Sequence, residues 1–372
     1  MSISHISNKG QYLHGPGQLR LEDRPLSSIG PSDVRIRIRA TTLCGSDVHY
    51  FKYGKNGSIE VKEPLCGGHE AAGEVVEVGA AARVLGKVQV GDKVAVESGV
   101  PCQECPKCED GRYNICSKLR FRSSGASFPH FQGTLQEYID HPAEWCHRLP
   151  DALSFDDGAL LEPLSVSIHA VNRTAMKEKS RCLVFGAGAV GLLCAAVAKI
   201  EHNNSVAIAD IDQGRVQFAL DHGFADTGFV VVPRQGKDLK ERLSIAKELS
   251  VEIGKLKWPG GKKWAGLSTY LNATDNGGNI VLVGMGTPVQ SWPIAEITGR
   301  EINIVSVWRY VNCYPRAIEI VEAVRGGVLK PDVTKLITHR FTGIQSVPLA
   351  YATASNTRDK ESRLIIKTVV NF

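Results

Sequence analysis

The stretch RCLVFGAGAVGLLCAAVAKI, residues 181–200, decides the fold of the middle of this 372-residue chain. A short apolar run leads into Gly186, and a helix-like apolar run follows Gly191. With Gly188 between them, these glycines match the pattern G-x-G-x-x-G. In such a turn the backbone approaches a pyrophosphate closely, and the N-terminus of the following helix offsets its charge. The pattern alone is weak, but a strand before it and a helix after it are the context that this binding mode requires. The stretch therefore predicts a dinucleotide-binding turn.

A single carboxylate further along indicates which dinucleotide is bound. Asp210 ends the next apolar run, VAIAD, nineteen residues beyond Gly191. An acidic side chain at this position accepts hydrogen bonds from ribose hydroxyls and repels a 2′-phosphate. The alternative is a solvated loop aspartate. The sequence favours NAD over NADP.

Two rhythms divide the chain. After residue 180, apolar runs alternate with helix-like segments, which is typical of a doubly wound parallel sheet. Before residue 160 the pattern is one of short β runs, such as DVRIRIRATT at 33–42, EAAGEVVEV at 70–78 and VGDKVAVES at 90–98. We expect the boundary between the two architectures within residues 155–180.

Composition describes an ordinary globular protein and narrows the choice of partners. The chain is 43% hydrophobic and 22% charged, with a net charge of +5 and a mean hydropathy of −0.10. No block of Lys or Arg stands out, so we expect no nucleic-acid partner. The longest apolar stretch, residues 182–198, is shorter than the about 20 residues of a membrane helix and is interrupted by glycines. We expect no membrane partner.

Four closely spaced cysteines form a second motif, in CQECPKCEDGRYNIC. Ten cysteines and a polar start, MSISHISNKG, indicate a reducing compartment, for which we expect the cytoplasm. A redox device or an accidental cluster is the alternative to a metal site. The spacing favours one tetrahedral structural zinc with no open position, in a lobe at residues 101–117. Its ligands would be Cys102, Cys105, Cys108 and Cys116.

A second metal site is suggested by Cys44, His69 and Glu162. A thiolate, an imidazole and a carboxylate can hold zinc and leave one position open for a substrate oxygen. Each residue also has an ordinary structural explanation: core filler, a turn histidine, or an acidic first turn of a helix. Spacing alone leaves both interpretations open.

Seven motifs in order produce a specific resemblance that covers essentially the whole chain. They are CGSDVHY, GGHEAAGEVVEVG, the four-cysteine lobe, LLEPLSVSIHA, VFGAGAVGLL, VGMGTPVQ and WRYVNCYPRAIE. Together they resemble the zinc-dependent medium-chain polyol dehydrogenases, which act on sorbitol, xylitol or L-arabinitol. The resemblance implies zinc-dependent oxidation of a polyol to a ketose with NAD as hydride acceptor, one catalytic and one structural zinc per chain, and a dimer or tetramer. It also implies an α/β fold, with a GroES-like catalytic domain at 1–165 and 309–372 and a Rossmann domain at 166–308.

The resemblance also assigns roles to individual residues. The catalytic zinc would be held by Cys44, His69, Glu70 (directly or through water) and Glu162. Ser46 and His49 would carry the proton. The polyol would contact Tyr50, Glu162, Arg309 and Tyr310. The cofactor would contact Gly186, Gly188, Val190, Gly191, Asp210, Arg215, Val283, Gly284, Met285, Val307 and Arg309.

Two departures from the family pattern lead to further expectations. Gly67 stands where relatives carry a bulkier aliphatic residue, which predicts looser packing beside the metal. Residues 232–279 show two helix-like runs without a β run between them, so the Rossmann sheet is expected to lack one strand around 257–275, with residues 262–270 as a poor replacement. A catalytically impaired pseudoenzyme of the same fold is therefore the alternative function. A zinc-independent enone reductase is disfavoured, because Cys44, His69 and Glu162 are all present.

Overall fold

A computed structural model describes the molecule at residues 7–255, 274–285, 289 and 291–372. The expected strand gap, apart from its last two residues, and the replacement strand at 262–270 lie outside these ranges. The chain divides into two compact units. The first comprises Met1–Ser165, Val311–Val328 and Thr334–Phe372, and the second comprises Val166–Tyr310 and Leu329–Val333.

The first unit is dominated by strands. These are β1 (Lys9–Leu13), β2 (Leu19–Asp23), β3 (Asp33–Thr42), β4 (Lys55–Asn56), β5 (Ile59–Glu60), β6 (Leu65–Cys66), β7 (Glu70–Val78), β8 (Lys93–Val96), β9 (Gly99–Val100), β10 (Arg120–Phe121), β11 (Tyr138–Pro142), β12 (Cys146–Arg148), β18 (Ile337–Thr342) and β19 (Lys367–Asn371). Its helices are α1 (Gly45–Tyr53), α2 (Ala80–Leu85), α3 (Pro106–Glu109), α4 (Phe155–Ala159), α5 (Leu161–Asn172), α10 (Tyr314–Arg325) and α11 (Val347–Ala354), and α5 continues into the second unit.

Among the described residues, the main sheet of this unit has seven strands in the order β12-β8-β7-β3-β19-β18, with β11 also paired to β3. Alternation in β3 buries Val34, Ile36 and Ile38 in one apolar cluster with side chains of β7 and β8. Each such side chain stabilises the fold by about 1.5–3 kcal/mol on burial. The antiparallel register of β3 and β7 sets Thr42 opposite Glu70. This pairing brings the segments that follow β3 and precede β7 together.

The second unit alternates strands and helices. Its elements are β13 (Arg181–Phe185), α6 (Ala189–His202), β14 (Ser205–Asp210), α7 (Gln213–Asp221), β15 (Thr227–Val230), α8 (Leu239–Gly254), β16 (Asn279–Val283), α9 (Ile294–Gly299) and β17 (Asn303–Val307). The strands β13, β14 and β15 are parallel neighbours, and so are β16 and β17. The predicted α/β alternation is confirmed, as are the β runs of the first unit. Of the described helices, none has the length and apolar character needed to cross a membrane.

Candidate active site

Three potential zinc ligands meet where β3 and β7 pair. The thiol of Cys44, one imidazole nitrogen of His69 and one carboxylate oxygen of Glu70 all lie within 4.8 Å of one another. Cys44 caps α1 directly after β3, and His69 and Glu70 stand at the start of β7, so the strand pairing assembles the group. His69 and Glu70 are buried. This donor set is one that zinc takes in proteins, and the residues therefore fit the ion.

Asp47 fastens the two ligand-bearing segments together. Its Oδ2 accepts the backbone N–H of Cys44 at 3.0 Å, and its Oδ1 accepts the backbone N–H of Gly68 at 2.9 Å. Burial favours the neutral acid, but the neighbouring His69 imidazole and these hydrogen bonds outweigh it and hold the pKa of Asp47 below its usual range. Sequence reasoning did not single out this residue. Its position three residues after the helix cap, typical of a capping box, was the available signal.

His69 lies against a second polar partner from a distant turn. Its Nδ1 is 2.7 Å from the hydroxyl of Ser123 and 3.6 Å from Asp47 Oδ2. Burial disfavours the imidazolium, but the negative charges of Asp47 and Cys44 outweigh it and raise the pKa of His69 well above its ordinary value. The imidazole is thus held in an electronegative pocket that also suits a cation.

Glu70 is held by two donors on one oxygen. Its Oε2 accepts hydrogen bonds from Thr42 Oγ1 and from the ammonium of Lys367, the first residue of β19. Lys367 is buried, and it also donates to the carbonyl of Leu43 at 3.3 Å. Burial alone would lower the pKa of this lysine, but the charges of Glu70, Cys44 and Glu162 raise it above its usual value. No sequence pattern indicates Lys367, which lies 297 residues from Glu70.

Glu162 is not part of the three-residue group, but its charge acts on Lys367, which contacts Glu70. Glu162 stands in the first turn of α5 and is buried, and its charge contributes to the raised pKa of Lys367. Its role as a ligand of zinc, or of zinc-bound water, stays a prediction.

The two residues of the predicted proton path, Ser46 and His49, and the predicted substrate contact Tyr50 all lie on α1. Ser46 and His49 are three positions apart, so they share a helix face, and the imidazole of His49 is exposed. The ring of His49 meets Tyr53 edge-on, with centroids 6.0 Å apart. Tyr50 is buried among apolar side chains, and its hydroxyl accepts the backbone N–H of Gly125 at 3.2 Å. Their catalytic and substrate-binding roles stay predictions.

Packing beside the metal group is tight, and the expectation of looser packing at Gly67 is wrong. A Cβ on Gly67 would stand 2.0 Å from the hydroxyl oxygen of Tyr351. Tyr351 is a buried residue of α11 whose ring stacks on Phe51. The tyrosine hydroxyl therefore occupies the volume that a larger side chain would fill in a relative.

The four-cysteine lobe is a separate and more local group. The sulfurs of Cys102, Cys105, Cys108 and Cys116 lie within 4.8 Å of one another. The Cys105–Cys108 and Cys102–Cys116 sulfur pairs are 3.5 Å apart, well beyond the about 2.05 Å of a disulfide. A backbone hydrogen bond from Cys108 lowers the pKa of the Cys105 thiol to about 7, whereas burial and the hydrogen bond to Cys105 raise the pKa of the Cys108 thiol. This arrangement fits a tetrahedral, closed zinc site.

The glycine-rich turn has the geometry that a dinucleotide requires. A Cβ on Gly191 would lie 1.7 Å from the carbonyl oxygen of Gly186, so only glycine allows the turn to close onto α6. Asp210, at the end of β14, accepts the N–H of Ala187 at 2.6 Å. The guanidinium of Arg215 lies beside Gly188, 3.9 Å from the position of an added Cβ. The predicted phosphate and ribose contacts are thus adjacent to one another.

The predicted nicotinamide contacts share one edge of the β16–β17 pair. Val283 and Val307 end these parallel strands and are partners in register. Gly284 and Met285 follow the first strand. Ligands of open parallel sheets bind at the carboxyl ends of strands, which is the edge these residues form.

Two predicted substrate contacts, Arg309 and Tyr310, follow β17, and the first of them has a left-handed backbone. Arg309 has a φ of 53°, and its guanidinium stands over the ring of Trp308, 4.9 Å from the centroid. Tyr310 is buried. Residues other than glycine are uncommon in this backbone region, which is over-represented at ligand-binding sites.

Comparison with known proteins identifies the class. Residues 30–151 match the alcohol dehydrogenase GroES-like domain. A solved structure of an oxidoreductase/dehydrogenase of unknown specificity from Escherichia coli superposes with a TM-score of 0.78 at 28% identity, covering 98% of this chain and 99% of that one. Escherichia coli L-idonate 5-dehydrogenase, at 23% identity, shares the fold with a TM-score of 0.79 over 99% of both chains.

Similarity in sequence identifies the family. The chain is 36% identical to sorbitol dehydrogenase of Gallus gallus over 338 residues, which are 90% of both proteins. It is also 36% identical to L-idonate 5-dehydrogenase of Vitis vinifera over 335 residues, 90% of this chain and 88% of that protein. The chain belongs to the zinc-dependent medium-chain dehydrogenase family, among its polyol dehydrogenases.

Proposed function

We propose that this protein oxidises a polyol of the sorbitol, xylitol or L-arabinitol class to the ketose, with NAD as hydride acceptor. The observation that carries the proposal is the meeting of the half-buried Cys44 with the buried His69 and Glu70 at the β3–β7 junction. The family of the chain and the glycine-rich turn of the second unit support it.

Zinc at this group, with Glu162 as a further ligand or holding zinc-bound water, would make a bound hydroxyl far more acidic, as it lowers the pKa of water from 15.7 to about 7. The chain's own residues then handle the proton. Ser46 takes it from the substrate hydroxyl and His49, whose ring is exposed, passes it to solvent. NAD, when bound, would supply the hydride acceptor, so that the two-electron oxidation of the carbinol would be balanced by reduction of one cofactor.

Substrate recognition would depend on polar side chains suited to a chain of hydroxyls. Tyr50, Glu162, Arg309 and Tyr310 together offer donors and acceptors of both kinds. A buried polar group that loses its partner costs about 1–3 kcal/mol, so a site of this composition discriminates against simple alcohols.

The cofactor would lie on the second unit, with its pyrophosphate at Gly186, Gly188 and Gly191. Val190, Asp210 and Arg215 would hold the adenosine half. Val283, Gly284, Met285, Val307 and Arg309 would approach the nicotinamide. In this scheme residues 1–165 and 309–372 act as the catalytic domain and 166–308 as the cofactor domain.

The assembly and location of the protein are part of the proposal. We expect a homodimer or homotetramer in the cytoplasm. None of the ten cysteines, all of which lie in the described part of the chain, is in a disulfide. Light scattering coupled to gel filtration measures the assembly, and a monomer at micromolar concentration would contradict it.

A panel of polyols and simple alcohols tests the function, with reduced cofactor followed at 340 nm and with NAD and NADP in parallel. We expect turnover of at least one pentitol or hexitol with NAD and none with His69→Ala. Equal rates with ethanol and sorbitol would contradict the substrate class. Loaded zinc without turnover, together with no NADH binding by fluorescence, would instead indicate the impaired pseudoenzyme.

A further inference from the structure

The hydroxyl of Ser123 makes a short contact to Nδ1 of His69, a proposed zinc ligand. Its Oγ lies 2.7 Å from Nδ1 of His69, and both side chains are buried. Ser123 is 54 residues from His69, in the turn that follows β10. At this distance the two atoms form a hydrogen bond.

Asp47, the other candidate partner of this nitrogen, accepts two backbone N–H groups. Its Oδ1 accepts the N–H of Gly68 and its Oδ2 accepts the N–H of Cys44. Its distance of 3.6 Å from Nδ1 is an ion-pair separation and exceeds the 2.7–3.2 Å range of N–H···O bonds. At 2.7 Å, the neutral hydroxyl of Ser123 is therefore a closer hydrogen-bond partner of Nδ1 than the carboxylate of Asp47.

The backbone at Ser123 is bent to reach this contact. Its φ of 58° lies in the left-handed region, which is uncommon for residues other than glycine. The turn is held by the N–H of Ser123, which donates to Phe131 O at 2.9 Å, and by that of Ser124, which donates to Phe121 O at 3.2 Å. The ring of Phe121 packs on the imidazole of His69, with centroids 5.3 Å apart. Strand β10 and the turn after it thus supply a ring contact and a hydrogen bond to this imidazole.

We propose that Ser123 is a positioning residue of the dehydrogenase reaction: it accepts the Nδ1–H of His69 and thereby presents Nε2 to the metal. The inference rests on the proposed function, since it requires zinc at His69. The partner of the outer nitrogen determines which tautomer a metal-binding histidine adopts and how its ring is oriented.

The neutral character of the partner has a chemical consequence. A carboxylate partner raises the basicity of a ligating imidazole. A hydroxyl raises it less, so His69 gives less charge to the ion and leaves it a stronger Lewis acid toward the substrate hydroxyl. Asp47 then contributes by long-range charge and by holding the ligand-bearing backbone.

The test compares Ser123→Ala and Ser123→Gly with the control Ser124→Ala. Both Ser123 variants lack the hydroxyl, but glycine also accommodates the left-handed backbone, so loss of function in both cannot come from backbone strain. Ser124 is the adjacent buried residue, and its hydroxyl accepts the N–H of Ala126. We measure zinc affinity by competition with a chelator, resolving the lobe and the catalytic ion, and record the absorption of the cobalt-substituted protein.

We expect both Ser123 variants to bind the catalytic zinc about 10- to 100-fold more weakly and to show an altered cobalt spectrum. The lobe zinc and the affinity for NADH should stay unchanged, as should all properties of Ser124→Ala. Affinity within twofold of the unmodified protein in Ser123→Gly would overturn the inference. His69→Ala is measured in parallel: if it retains two zinc ions, the proposed function itself fails, whereas loss of zinc in that variant alone refutes only the role of Ser123.

Discussion

The two candidate zinc sites of the first unit are built in opposite ways. In the lobe, four cysteines from one short segment, Cys102 to Cys116, place their sulfurs around a common centre. Three of the four are partly exposed. At the β3–β7 junction, Cys44 follows β3, whereas His69 immediately precedes β7 and Glu70 begins it. His69 and Glu70 are buried.

The surroundings of the two sites differ in the same sense. In the lobe, the thiol of Cys105 lies 3.5 Å from that of Cys108, and the thiol of Cys116 lies 3.5 Å from that of Cys102. Each of the three candidate ligands at the β3–β7 junction is held by another residue: Cys44 through its backbone by Asp47, His69 by Ser123, and Glu70 by Lys367. A site that only needs to stay closed can rely on its ligands. A site that must keep a position open and a set orientation needs a rigid support behind every ligand.

We call the group of Cys44, His69 and Glu70 the supported site, and the largest effect is expected there. Cys44→Ser or His69→Ala removes a ligand of the proposed Lewis acid, whose contribution of several kcal/mol corresponds to on the order of 10³-fold or more in rate. Turnover should fall below detection while metal analysis gives one zinc per chain instead of two. A His69→Ala protein with near-normal polyol oxidation would break the distinction between the two sites.

The complementary change is Cys105→Ser in the lobe. Structural zinc in small peptides contributes about 10–16 kcal/mol of apparent binding free energy, so losing one of four thiolates should release the ion and loosen the lobe. We expect a lower melting temperature and one zinc per chain, with the catalytic zinc retained. Alkylation kinetics provide the check: if all four lobe thiols of the zinc-loaded, unmodified protein react freely, the lobe is not a metal site.

The second unit should respond independently of both sites. Asp210→Ala removes charge-assisted hydrogen bonds worth about 1.5–3 kcal/mol each, so NAD should bind roughly tenfold more weakly or worse. The bias against NADP should relax, because the charge that repels a 2′-phosphate is gone. Steady-state kinetics with both cofactors measure this, and Asp221→Ala, an exposed carboxylate at the end of α7, is the control. Equal use of NAD and NADP by the unmodified chain would contradict the premise.

A smaller effect tests the tight packing behind the supported site. Gly67→Ala forces a methyl group against the hydroxyl of Tyr351, and overpacking of this kind costs about 1–3 kcal/mol. Tyr351→Phe removes that oxygen, so the double variant should recover much of the stability lost. Denaturant unfolding gives the free energies. Gly45→Ala, where an added Cβ meets open space, is the control. A Gly67→Ala protein as stable as that control would show that the tyrosine yields without cost.

Much of the fold, and one of the two candidate zinc sites, could be predicted from local sequence patterns. The glycine turn, the alternation of strands and helices after residue 180 and the β runs before residue 160 could be predicted because each depends on neighbours a few positions apart. The same holds for the lobe, whose spacing alone indicates one tetrahedral ion. Cys44, His69 and Glu162 stayed ambiguous until the family resemblance was added, because one residue of each type carries little information.

The sequence by itself determined the ligand types, the glycine turn and the family of this protein. Only the tertiary structure decided how the candidate ligands and the backbone beside them are supported, because Ser123, Lys367 and Tyr351 approach from a turn, a strand and a helix far away along the chain. The error at Gly67 has the same origin: the family pattern at this one position suggested free space, and a side chain from α11 fills it. Periodicity and spacing report contacts between residues near in the chain, whereas the β3–β7–β19 pairing that creates this site joins segments that no local pattern connects.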